Sequence, residues 1–152
     1  MKNQVLISGA VIVRPQKKGN KWFIVKNPTD GSWELPKIIV RKTESSVRAA
    51  LRMIGEQGGL RVRVLEEAGR YNATVNNSGR VISQRYLYYL MLHRADSGES
   101  IGFEEPTWME YGVAAKKLAS KKERKMLRGA KDEYRQWLKN RKKRPLPAEQ
   151  AE

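Results

Sequence analysis

The strongest constraint on the fold lies between Glu34 and Leu60, in ELPKIIVRKTESSVRAALRMIGEQGGL. Val47, Ala50, Leu51 and Ile54 recur at the spacing of one helix face, which predicts an amphipathic helix buried on one side. Ser45 or Ser46 supplies the N-cap. Gly58, Gly59 and Leu60 supply the stop, because glycine tolerates the left-handed backbone of a helix C-terminus. β-branched and apolar runs bracket this helix. VLISGAVIV, KWFIVKN, a short extended SWEL ahead of Pro36, and KIIV precede it. RVRVLEEAGRYNATV, irregular in its alternation, and RVISQRYLYYLMLHR follow it, joined by a hairpin turn at Asn76–Gly79. TWMEY predicts a last short strand. GVAAKKLA and SKKERKMLRGAKDEYRQWLKN predict two closing helices, the second with an apolar stripe of Leu127, Ala130, Tyr134, Trp137 and Leu138. A helix set among strands buries its stripe by lying on their sheet. The expected class is α/β, a mixed sheet with helices on its faces.

The length of 152 residues suits one domain with a sizeable core. Residues 1–140 are expected to form it, including the C-terminal basic helix, with 141–152 a basic, disordered tail. There is no cysteine, which excludes disulfides and thiolate metal sites. A single histidine, His93, excludes any site that needs several imidazoles from one chain. No run of about 18 apolar residues occurs, so no membrane span is expected. The apolar run Val5–Val13 is broken by Gly9 and Ala10 and preceded only by Lys2. It reads as a buried first strand rather than a secretory segment, and a cytoplasmic location is the matching expectation.

The net charge of +15 favours polyanionic partners. From Lys116 to Arg144 stand 14 basic and three acidic residues, so +11 of the +15 lies in that segment. Lys139, Arg141, Lys142, Lys143 and Arg144 are the candidate contacts to RNA or another polyanion.

Residues 38–60 resemble the box of the Nudix hydrolases. Glu44, Arg52, Ile54, Glu56, Gly59 and Leu60 match its pattern without gaps. Where the family opens on a glycine this chain has Ile38. The glutamate after the arginine is Met53, and the second glutamate of the closing pair is Gln57. SGAVIV and WELPK resemble the family's first strand and its lead-in to the box, and PTWMEYGVAAKKL its tryptophan-bearing strand and helix. The resemblance covers roughly residues 5–138 and implies an α/β/α sandwich. It also implies hydrolysis of a nucleoside diphosphate-linked or polyphosphate ligand, with Mg²⁺ or Mn²⁺ bridging the phosphate oxygens.

By that resemblance the catalytic candidates are Glu56, Arg52 and Glu44, and the metal ligands are Glu56 and Gln57. The family's three helix glutamates become Met53, Glu56 and Gln57, so one carboxylate is left. A thioether is a poor ligand for a hard cation, and a neutral amide oxygen does not offset its charge. Hydrolysis is therefore expected to be weak. Further acids would have to come from Glu34, Glu66, Glu67, Glu99, Glu104, Glu105 or Glu110. Ile38 implies a changed loop shape. Lys37, Arg41 and Lys42 add positive charge beside the box and are candidate phosphate contacts. Trp22, Trp33, Tyr71 and Tyr86 are candidates to stack on a base. The alternative is a non-catalytic module that binds nucleotide or RNA through its basic residues without any metal.

Overall fold

The computed structural model describes residues 4–143, although not the side chains of Lys142 and Lys143. Seven strands and three helices follow in the order β1 (Gln4–Arg14), β2 (Lys21–Lys26), β3 (Trp33–Glu34), β4 (Lys37–Ile39), α1 (Ser46–Gly58), β5 (Leu60–Asn77), β6 (Arg80–Asp96), β7 (Glu104–Glu110), α2 (Tyr111–Lys117) and α3 (Lys121–Lys143). The strands form one mixed sheet of order β3-β2-β1-β6-β5, with β4 paired to β1 and β7 to β2. β1 and β6 run parallel and the other pairs antiparallel. Helix α1 covers one face and α2 with α3 cover the other, which is the α/β/α sandwich that the resemblance implies.

Alternation along the central strands divides the core. Val11, Val13, Trp22, Ile24, Tyr88 and Leu90 pack toward α3, against Met126, Leu127, Ala130 and Tyr134. Ala10, Ile12, Phe23, Val25 and Met91 pack toward α1, against Ala50, Met53 and Ile54. This is the outcome of a period of two in β1 and β2 with both faces covered. The apolar stripe of α3 is buried as expected up to Tyr134, while Leu138 remains 37% exposed.

The buried face of α1 differs from the sequence expectation. Ala49, Ala50, Met53, Ile54 and Gly58 are buried, whereas Leu51 is 38% exposed and Val47 is half-buried. The helix is rotated so that Met53, read from sequence as a member of the metal-facing side, fills the core instead. Ser45 is the N-cap and accepts from the Arg48 amide at 3.2 Å. Gly59 closes the helix at φ 64°. A side chain there would also stand 2.6 Å from the Gly98 carbonyl oxygen, so glycine is required on two counts.

The feature that positions the site is a split along one edge of β1. Its first half pairs with β4, from Ile7–Ile39 to Gly9–Lys37, and its last residues pair with β2 at Val13–Trp22 and Arg14–Lys21. Between them the chain at Leu35 and Pro36 bridges the gap, with the Ala10 amide donating to the Pro36 carbonyl at 3.0 Å. Glu34 and Lys37 therefore stand where the strands diverge. Ile38 lies in β4 opposite Ser8, in plain strand.

Helix α3 runs to Lys143, past residue 140 where the sequence reading ends the domain. Residues 144–152, and with them Arg144 and most of the expected tail, lie outside the described residues. Among the described residues no helix is long and apolar enough to cross a membrane.

Candidate functional site

Two cavities open at the split in the sheet and share Glu34 and Lys37 as a common wall. One, of about 230 Å³, lies on the side of the box helix, among Lys26, Gln57, Gly102, Phe103 and Glu104. The other, of about 220 Å³, lies on the α3 side, among Trp33, Tyr71, Tyr86, Ser120 and Glu123. Three of the four aromatic stacking candidates thus meet in one place. The fourth, Trp22, is 2% exposed and belongs to the core, so it offers no face to a ligand. Tyr71 and Tyr86 lie parallel with ring centroids 4.4 Å apart, and Tyr88 continues the stack beneath them.

The common wall is held by a buried ionic group. Glu123 in the first turn of α3 is 2% exposed. It accepts from the Leu35 amide at 3.0 Å, from Lys37 Nζ at 3.1 Å and from the Tyr88 hydroxyl at 2.7 Å. Lys37 also donates to Glu34 Oε1 at 3.1 Å and to the Leu35 carbonyl at 3.2 Å. The helix N-terminus adds its own positive end to the attraction on Glu123. Burial pulls the Lys37 ammonium down, but Glu123 and Glu34 more than offset this, so its pKa ends above the ordinary lysine value. Burial, and then the charge of Glu123, push the Tyr88 hydroxyl up, which keeps it a donor. Lys37, a phosphate candidate from sequence, is therefore already neutralised by two carboxylates. Glu34 takes its bonds from Lys37 and from Asn27 on the same oxygen, Oε1. All three Nζ hydrogens of Lys37 are thus donated within this group, and Glu34 Oε2 is left as an acceptor.

Sequence reasoning gave Glu123 no role. A signal was present: Ser120-Lys121-Lys122-Glu123 has the spacing of a capping box. Ser120 Oγ does accept from the Glu123 amide at 3.2 Å, but the carboxylate turns to Leu35 and Lys37 instead of back to Ser120. Only the packing of α3 on the lead-in segment decides that.

On the box itself, Arg52 is committed to Glu44. Nε donates to Oε2 at 2.7 Å and Nη2 to Oε1 at 2.9 Å, a two-pronged geometry of high specificity. The Arg41 amide also donates to Glu44, at 3.2 Å, and ties the loop before α1 to its middle. The hydrogen bonds from Arg52 hold the Glu44 carboxyl at about 2, below its ordinary 4.5. A depressed carboxyl stabilises the fold above its unfolded value and loses that contribution as the pH falls. Between about pH 4.5 and 2 the chain should lose urea resistance faster than a Glu44→Gln variant does, and parallel pH profiles of the two midpoints would refute this role.

The box does not gather a metal-binding set. Met53 is fully buried. Glu56 is exposed, and its neighbour Gln57 packs against Gly102 in the loop beyond β6, its backbone carbonyl accepting from the Gly102 amide at 3.1 Å and the Ser100 hydroxyl at 3.2 Å. Adjacent residues on a helix do not face one another. The candidate auxiliary acids are engaged or dispersed: Glu67 with Arg70, Glu105 with Lys26, Glu110 with Lys21 and Glu34 with Lys37. Glu66 and Glu99 are exposed, and Glu104 lines the box-side cavity. Among the described residues no three His, Asp or Glu side chains converge as ligands. This donor set does not fit the several oxygens and the charge balance that Mg²⁺ or Mn²⁺ requires. Arg41 and Lys42 are exposed on the box loop and, among the described residues, make no ion pair. Lys139 and Arg141 are exposed near the end of α3.

The fold and the loop-helix-loop at its split sheet are those of the Nudix domains, and the chain has the Nudix fold. A C. elegans Ap4A hydrolase matches with a TM-score of 0.63 at 20% identity, over 87% of this chain and 98% of that one. The Nudix domain of Shewanella oneidensis NrtR, solved with ADP ribose, matches with a TM-score of 0.67 at 17% identity, over 88% and 90%. The E. coli dihydroneopterin triphosphate pyrophosphohydrolase matches with a TM-score of 0.63 at 14% identity, over 80% and 91%. No family model matches the sequence, and no curated protein does.

Proposed function

We propose that this chain binds a nucleoside diphosphate-linked or polyphosphate ligand at the split in its sheet, without needing a metal, and hydrolyses it slowly or not at all. The observation that carries this reading is the separation of two properties that a Nudix hydrolase combines. The cleft is built, with aromatic walls and a fixed ionic pair, whereas the box face beside it retains a single acid, Glu56. Trp33, Tyr71 and Tyr86 offer faces to a base, and Glu34, whose Oε2 takes no hydrogen bond among the described residues, offers it an acceptor. Lys26, which reaches the box-side cavity, and Arg41 and Lys42 on the loop would meet the phosphates. Solved neighbours of this fold include a domain complexed with ADP ribose, which supports the ligand class.

Calorimetric titration of ADP ribose and diadenosine tetraphosphate in EDTA tests the reading, together with chromatographic assay of the same compounds in Mg²⁺ and Mn²⁺. Binding in EDTA is expected, weakened about tenfold by Tyr86→Ala or Trp33→Ala, as loss of one base–aromatic stack implies. Metal-dependent turnover that Glu56→Gln abolishes would instead establish a working hydrolase. Failure of both ligands to bind under any condition would remove the cleft from consideration.

A further inference from the structure

A third cavity, the largest of the three, lies at the other end of β5 from Tyr71. Arg61, Arg63 and Arg94 line this open groove of about 470 Å³, with Val62 and Ala95 between them. A bulge assembles it. Arg61 pairs with Ala95 and Val62 with His93, so Arg94 is the extra residue and stands free of the ladder. All three arginines are exposed, and among the described residues none forms an ion pair. Three guanidiniums brought together without a carboxylate repel one another, and an anion relieves that repulsion.

The last turns of α3 approach this end of β5. Lys122 Nζ donates to the Asn72 carbonyl, and the Gly69 and Ala68 backbones face Met126 and Gly129, so α3 runs antiparallel to β5. At ~1.5 Å per helical and ~3.3 Å per strand residue, the stretch from Gly129 to Arg141 spans the distance from Ala68 to about Val62. Trp137 packs into the same cluster as Leu92, which is the strand partner of Arg63. The Arg141 guanidinium lies 5.2 Å from the centre of the Trp137 ring. Arg141 falls on the sheet-facing side of α3 with Tyr134 and Trp137, whereas Arg135 and Lys139 point away from β5.

We infer that Arg61, Arg63 and Arg94, with Arg141 of α3, form one track for the phosphodiester chain of a nucleic acid. Guanidinium predominates in it, and its planar fork matches phosphate oxygens two at a time, whereas attraction to an anionic bilayer needs only charge. Arg61, Arg63 and Arg94 line a groove, which suits a strand better than a flat membrane surface. It is separate from the aromatic cleft, so the two sites are testable one at a time.

Fluorescence anisotropy of the full chain with a labelled single-stranded RNA of mixed sequence tests it, with duplex DNA and phosphatidylserine vesicles as parallel arms. If all four cations meet phosphates, log affinity should fall against log salt with a slope of about −3 on the single strand. The variant carrying Arg61→Gln, Arg63→Gln and Arg94→Gln should bind at least tenfold more weakly, with a slope of about −1. Its calorimetric response to ADP ribose and its unfolding midpoint should equal those of the parent. Arg94→Glu alone should weaken the RNA complex too, which guards against a folding defect in the triple variant. Unchanged affinity and slope in the triple variant, or binding of vesicles but not of either nucleic acid, would overturn the inference.

Discussion

Replacement of Lys37 by methionine should lower the unfolding midpoint by about 10 °C or more. The ammonium lies between Glu123 and Glu34, and Glu123 is 2% exposed. Removing one member of a buried pair leaves the other charge without compensation, which costs about 3–5 kcal/mol. In a domain of this length one kcal/mol corresponds to about 2–4 °C. Glu123→Leu combined with Lys37→Met removes both charges and should recover much of the loss, although the Leu35 amide and the Tyr88 hydroxyl then lose their acceptor. Calorimetric or circular-dichroism melting of the three variants decides the matter. Equal midpoints for the single variant and the parent would show that water already compensates Glu123.

Attempts to rebuild a metal site by sequence alone should fail at position 53. The box pattern suggests Met53→Glu and Gln57→Glu as equivalent restorations. Met53 is 0% exposed in the cluster formed by Phe23, Val25, Ile54 and Met91, so a carboxylate there has no partner and no water. It should destabilise the chain by about 3–5 kcal/mol, and the carboxyl should stay protonated near neutrality. Gln57 is half-buried at the cavity wall, and Gln57→Glu should cost less than about 1 kcal/mol. Urea denaturation of both variants tests the contrast. A Met53→Glu variant as stable as the parent would mean that α1 can rotate to expose this position.

These expectations mark where the sequence was legible. The helix between Ser45 and Gly59 follows from local chemistry: a hydroxyl that caps, a periodic apolar face, and a glycine that takes φ 64°. The strands around it follow from β-branched runs and turn residues, and the hairpin closes with Ser78 and Gly79 at positive φ. Glu44 and Arg52, both candidates by the resemblance, pair with each other across eight residues. The side of the helix that carries Met53 was misread because a helix of small residues leaves its rotation open. Ala49 and Ala50 allow close approach to the sheet on a face that hydrophobicity alone does not rank above that of Leu51.

The remaining departures are contacts between residues far apart in the chain. Glu123 looked like a stray acid in a basic helix, and Lys37 like a free phosphate contact, until α3 was laid against the lead-in to the box. Arg61, Arg63 and Arg94 carry no signal in the sequence, and a bulge brings them together. By itself the sequence determined the elements, the sandwich class and the loss of acids from the box, because each depends on neighbours in the chain. The tertiary structure alone decided which charges cancel and which stand together, because Coulomb interactions depend on distance and burial, and these are set only when the sheet splits and the helices dock.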